Sequence, residues 1–127
     1  MVDLLQLKPG NWLTYIRENR YCTFVSSGDY TIVAGFNGQW NCFPEDLTYV
    51  TNTVHVFSLA GFKMNGNQYS KTTGEGQLLT ISYSDYGPYL CIKDGEAIKI
   101  PHVHSLQNAY LFFTGEELSL TLYGAPS

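Results

Sequence analysis

The chain has 127 residues, of which 44% are hydrophobic and 14% are charged, and its net charge is −4 at neutral pH. This composition supplies the core of one compact domain and argues against a disordered chain. The seven basic residues are scattered along the sequence rather than grouped. Because no basic stripe is available to neutralise a nucleic-acid backbone, we expect no nucleic-acid binding.

Cysteine usage and hydropathy indicate a protein that works inside a cell. Cys22, Cys42 and Cys91 show no C-x-x-C spacing, and an odd number of unpaired cysteines fits reduced thiols better than a disulfide framework. The N-terminus lacks the basic and long apolar segments of a signal peptide, and no apolar run approaches membrane-spanning length. We therefore expect a soluble, cytoplasmic protein with no membrane partner.

Turn signals alternate with strand-like runs along most of the chain. Pairs such as Asn65-Gly66 tolerate the positive φ angles that tight hairpins require. The runs between these turns are rich in aromatic and β-branched residues and predict nine strands: Trp12–Arg17, Tyr21–Ser26, Thr31–Phe36, Trp40–Phe43, Gln68–Thr72, Leu78–Ser84, Tyr89–Lys93, Ala97–Ile100 and Leu118–Leu122. The first four are joined by short turns, which predicts a small, open barrel-like sheet.

The segment from Thr51 to Gly61 allows two interpretations. Asn52 or Thr53 suits the N-cap of a short helix that ends at Gly61. The valines and threonines of the segment instead favour a strand by intrinsic propensity. We prefer the helix because of the family resemblance described below.

A second helix is predicted over Val103–Thr114, which contains no proline or glycine and is followed by Gly115. Its core-facing stripe has three- and four-residue spacing and comprises Val103, Leu106, Tyr110 and Phe113, with Ala109 beside it. Residues placed off this stripe are His104, Gln107, Asn108, Leu111 and Phe112. Two of these, Leu111 and Phe112, are large and apolar, so either another layer of the chain or a partner must cover them.

These elements predict an α+β fold in a single compact domain spanning residues 1–127. Its first sub-half, about residues 1–50, is strand-rich and barrel-like. Its second sub-half, residues 51–127, has a helix followed by a curved antiparallel sheet that packs on the C-terminal helix.

Two C-terminal segments carry a family resemblance: Ile98-Lys-Ile-Pro-His-Val-His-Ser-Leu-Gln-Asn-Ala-Tyr110 and Thr114-Gly-Glu-Glu-Leu118. They resemble the signature of a widespread family of small proteins from gut anaerobes, their prophages and their phages. Weaker matches are Leu7-Lys-Pro-Gly-Asn-Trp12, Gly61-Phe62 after a mid-chain helix, and Tyr69-Ser-Lys71. The family has no established activity, so the resemblance implies a fold and a mobile-element setting in a bacterial host, with no catalytic residues to carry over.

Catalytic and metal signatures are weak. His102-x-His104 is the one metal-like spacing, with His55 as a possible third ligand, but the pair spans a strand-to-helix junction where the side chains should diverge. We interpret these histidines as capping or surface residues and expect no metal. Because no Gly-x-Ser-x-Gly elbow is present either, we expect no enzyme activity and no cofactor.

The leading hypothesis is therefore a non-enzymatic binding protein of a phage or mobile element. Its partner would be a protein: a second copy, a host factor that it inhibits, or a virion component. The predicted contact residues are His104, Gln107, Asn108, Leu111 and Phe112. The alternative is a nucleotide- or sugar-binding protein with a tyrosine-lined cleft between the halves, for which the candidates are Tyr83, Tyr86, Tyr89 and Tyr110.

Overall fold

The computed structural model describes residues 2–35, 38–92 and 95–123. Within these ranges the chain divides into two compact units. One contains residues 2–50 together with 122–123, and the other is Thr51–Thr121. The division after Val50 lies at the predicted boundary between sub-halves, but residues 122–123, which were predicted in the second sub-half, group with the first unit. That both units belong to one domain stays a prediction.

The first unit is a five-stranded antiparallel sheet. Its strands are β1 (Trp12–Tyr15), β2 (Arg20–Ser26), β3 (Thr31–Gly35), β4 (Gly38–Cys42) and β5 (Leu47–Tyr49), in the spatial order β4-β3-β2-β1-β5. Because β4 and β5 are edge strands that do not pair with each other, the sheet is open and does not close into a barrel.

The core of this unit lies on one face of the sheet. Leu13 lies opposite Cys22 on the β1–β2 ladder, and Phe24 lies opposite Val33 on the β2–β3 ladder. All four side chains are buried, as expected where alternate residues of neighbouring strands share a face. The ring of Trp40 closes this layer by meeting Tyr15 edge-on at 5.3 Å.

The second unit begins with helix α1 (Val54–Leu59). Thr53 is its N-cap, because its hydroxyl accepts a hydrogen bond of 3.3 Å from the amide of Val56. Gly61 follows the helix with a φ of 91°, a conformation that glycine adopts without strain. The prediction of a helix in this segment is confirmed.

An antiparallel meander and a second helix complete the unit. The strands are β6 (Lys63–Asn65), β7 (Gln68–Thr72), β8 (Leu78–Ser84), β9 (Gly87–Ile92) and β10 (Ala97–Lys99), in the order β10-β9-β8-β7-β6, and helix α2 is Val103–Thr114. Leu79, Ile81 and Leu90 are fully buried on one face of this sheet. Helix α2 packs against β9, so the predicted α+β class and the sheet-on-helix arrangement are confirmed.

Several strand predictions differ from the structure, and the bounds of β2, β4, β9 and β10 are each shifted by one or two residues. The first strand ends at Tyr15 rather than Arg17, because a 3-10 turn over Ile16–Glu18 follows it. The last predicted strand, Leu118–Leu122, joins no ladder among the described residues, although its alternate leucines are buried. The short strands β5 and β6 were not predicted. Phe36 and Lys93, the predicted ends of two other strands, lie outside the described residues.

Candidate binding surface on helix α2

The start of helix α2 is anchored by a residue far away in sequence. The side-chain amide of Asn52 donates to the carbonyl oxygens of Ile100, at 2.7 Å, and of His102, at 2.8 Å. Thr51 and His102 also form an isolated antiparallel bridge. These contacts hold the strand-to-helix junction, and therefore fix where the helix begins.

The end of the helix is set by local chemistry. Gly115 has a φ of 74°, and its amide donates to the carbonyl of Leu111 at 2.8 Å. The hydroxyl of Thr114 donates to the carbonyl of Tyr110 at 2.8 Å. Both bonds use carbonyl groups in the last turn, where helical partners run out. The predicted bounds of Val103–Thr114 are confirmed.

One face of α2 belongs to the core. Val103 and Leu106 are fully buried, and Ala109 and Tyr110 are each 4% exposed. The ammonium of Lys71 lies 5.0 Å from the centre of the Tyr110 ring, within the range of a cation–π contact. Phe113 is half-buried. The apolar stripe read from the sequence is therefore the side that faces inward.

Phe112 lies on the opposite side of the helix. It follows Val103 by nine residues, which at roughly 100° per residue turns the two side chains away from each other. Its side chain is 69% exposed, and its ring meets that of Phe113 edge-on at 5.8 Å. Asn108 and Leu111, four and one residues earlier, are half-buried. These three residues, Asn108, Leu111 and Phe112, are called the Phe112 surface below.

His104 does not belong to this surface. It was expected beside Gln107 and Asn108 on the outer side, but it is 4% exposed. Its ring stacks on that of His102 at 5.8 Å, with 12° between the ring planes. Burial, and then the neighbouring His102, lowers the pKa of His104 to about 4, so the ring is uncharged at neutral pH. Gln107 is half-buried and flanks the surface.

The described histidines and cysteines do not gather into a metal-binding cluster. In the described ranges, no three His, Cys, Asp or Glu side chains come together in a way that would hold a metal ion. Burial raises the pKa of Cys22 to about 12, and it also raises the pKa of Cys42. Both thiols are therefore protonated at neutral pH, and a protonated thiol is a poor nucleophile.

The four candidate tyrosines do not line one cleft. Tyr83 shares a face of β8 with the buried Ile81, whereas Tyr89 lies opposite Ser82 and points to the other face of the sheet. Tyr110 is buried in the core. Tyr86 is 80% exposed and lies near Lys99, whose ammonium is 5.5 Å from its ring centre.

Comparisons with models of known protein families, with curated proteins and with solved structures found no match for this chain. Neither described helix is long and apolar enough to cross a membrane.

Proposed function

We propose that this chain is a non-enzymatic protein-binding module of a phage or mobile element, and that it docks the Phe112 surface onto a protein partner in the bacterial cytoplasm. The observation that carries the proposal is the exposure of Phe112, 69%, on a helix whose opposite face contributes Val103 and Leu106 to the core. Aromatic residues are enriched in protein interfaces and often dominate their binding energy.

The arrangement of the surface supports a docking role. Moving a phenylalanine side chain out of water and into an apolar pocket of a partner contributes about 1.5–3 kcal/mol to the free energy of binding. The Phe112 ring lies edge-on against the Phe113 ring, so the two aromatic side chains extend one apolar area. Leu111 widens the apolar area, and the amide of Asn108 gives it a polar edge, as interface rims have.

A binding role also agrees with the state of the chain's reactive groups. The raised pKa values of Cys22 and Cys42 keep these thiols protonated, and the lowered pKa of the buried His104 keeps its ring neutral. None of the three is poised to attack a substrate or transfer a proton at its surface. The mobile-element setting is supported by the C-terminal sequence resemblance alone.

The proposal is tested by combining Leu111→Asp with Phe112→Asp. We expect wild-type protein to form a defined complex, with itself or with a protein from a gut anaerobe, in native mass spectrometry. The double variant should lose that complex while its circular dichroism and melting are preserved. Tyr30→Asp is the control, because Tyr30 is 67% exposed and lies in the other unit. A double variant that assembles like wild type would contradict the proposal.

A further inference from the structure

We infer that a groove at the β6 edge of the Thr51–Thr121 unit binds a small phosphate-bearing ligand. The groove has a volume of about 550 Å³ and is lined in part by Lys63, Asn65, Ser70, Lys71 and Thr72. Small-molecule sites typically span roughly 300–1,000 Å³. This site is separate from the Phe112 surface and does not depend on it.

The groove exists because β6 is shorter than its neighbour. Lys63 lies opposite Ser70, the last pair of the β6–β7 ladder. Strand β7 continues through Lys71 and Thr72, which pair with β8 on their other side. Before β6 the chain turns away at Gly61, whose φ is 91°. Among the described residues, the last two of β7 therefore have no strand beside them on the β6 side, and the space is left open.

The charge of the groove is positive. Two of its lining residues are lysines, and no acidic side chain is among the described residues that line it. Ion pairs in the described chain join Arg17 to Asp46 and Arg20 to Glu18, so neither Lys63 nor Lys71 is neutralised by a carboxylate. In a chain with a net charge of −4, this is a local site that favours an anion.

Lys71 is held in place before any ligand arrives. Its ammonium donates to the carbonyl of Ala60 at 2.9 Å and lies against the Tyr110 ring. An ammonium has three N–H donors, and the carbonyl uses one of them. Half-burial lowers the pKa of Lys71, because it deprives the charge of water. An anion beside it would restore part of that lost stabilisation.

The remaining polar groups suit phosphate oxygens. Ser70 lies directly across the ladder from Lys63, and Thr72, two residues further along β7, shares the same face. The two hydroxyl donors and the Lys63 ammonium on this face match a compact anion with several acceptor oxygens. Lys71, whose side chain leaves β7 from the other face, adds its positive charge from beside Ala60. Lysine binds phosphate as a point charge that requires no paired geometry.

The test is isothermal titration calorimetry with inorganic pyrophosphate, ATP and fructose 1,6-bisphosphate as probes. Lys63→Gln removes an exposed ammonium from the groove, and Lys8→Gln is the charge-matched control in the other unit. We expect at least one probe to bind wild type and Lys8→Gln equally, and to bind Lys63→Gln about fivefold more weakly. Equal affinities for pyrophosphate and ATP would show that the groove recognises the phosphate groups alone. A higher affinity for ATP or for fructose 1,6-bisphosphate would show that the nucleoside or the sugar is also recognised.

The inference is overturned if none of the three probes binds the wild-type protein. It is also overturned if a probe binds Lys63→Gln as tightly as Lys8→Gln, because the bound anion then lies elsewhere. Thermal melting of both variants confirms that each is folded. Added salt should weaken genuine binding at the groove, since exposed charges are screened.

Discussion

The side-chain amide of Asn52 donates a 2.8 Å hydrogen bond to the carbonyl of His102, the residue just before helix α2. The same amide nitrogen also donates to the carbonyl of Ile100. One half-buried side chain thus ties the start of the second unit to the start of its last helix, 50 residues further along the chain. The position of the Phe112 surface depends on this junction.

Replacing Asn52 with alanine should therefore destabilise the fold. Two backbone carbonyls lose their donor, and at about 1 kcal/mol per hydrogen bond the free energy of unfolding should fall by about 2 kcal/mol. Urea denaturation followed by circular dichroism measures the change. Asn41→Ala, at an exposed position of edge strand β4, should change the free energy of unfolding little. Equal losses in both variants would show that the Asn52 bonds do not anchor the helix.

The same contact shows what sequence reasoning misses. The sequence offered Asn52 or Thr53 as the N-cap of α1, and Thr53 is the cap. The side-chain partners of Asn52 lie 48 and 50 residues away, and no local pattern marks them. Helical spacing predicted His104 on the outer side. Spacing gives the direction in which a side chain leaves the helix, but it does not show which sides of the helix are covered by the rest of the fold. The prediction that Phe112 lies off the core stripe agrees with its exposure. Phe112 lies directly opposite the buried Val103, and for that position helical spacing alone is enough to predict exposure.

His104 should make the protein less stable in acid. Its pKa is about 4 in the folded state against 6.5 for the free side chain. The unfolded chain therefore takes up a proton first, and stability that is present at neutral pH is lost as the pH falls from 6.5 towards 4. With allowance for solvent screening, the expected loss is on the order of 2 kcal/mol.

The measurement is the difference in unfolding free energy between pH 7.5 and pH 4.5. His104→Gln cannot take up the proton, so this difference should shrink even if the variant is less stable overall. His55→Gln changes an exposed histidine on α1 and should retain the wild-type difference. An unchanged pH dependence in His104→Gln would exclude the buried ring as its source.

Gly61→Ala should destabilise the turn between α1 and β6 for two reasons. The residue has a φ of 91°, and a Cβ atom there would lie 3.3 Å from the ammonium nitrogen of Lys71. A left-handed conformation costs a non-glycine residue about 1–2 kcal/mol. Gly74→Ala is the matched control, because a Cβ atom there meets nothing within 4 Å. Thermal unfolding should show a clear loss for Gly61→Ala only, and similar melting of both variants would argue against strain at Gly61.

Regular elements were predictable where their ends carry local signals. The bounds of β7, β8 and α2 agree with the sequence prediction, because turn residues or Gly115 stand beside them. Strands β5 and β6 have three residues each and exist because β1 and β7 supply partners. Leu118–Leu122 shows the converse, since it alternates like a strand but joins no ladder within the described part of the chain. Whether a segment pairs with another strand depends on the whole fold, whereas alternating apolar residues in its sequence indicate only that one side of it is buried.

The most direct test of the central claim, that the Phe112 surface binds a protein, is site-specific photo-crosslinking. Benzoylphenylalanine replaces Phe112 in one sample and Tyr30, which is exposed to nearly the same extent, in the other. Each purified protein is irradiated in the lysate of a gut anaerobe, and the masses of its crosslinked adducts are measured by mass spectrometry. We predict a discrete protein adduct, to a second copy or to one other protein, from position 112 and not from position 30. Absence of an adduct from position 112, or the same adducts from both positions, would contradict the account.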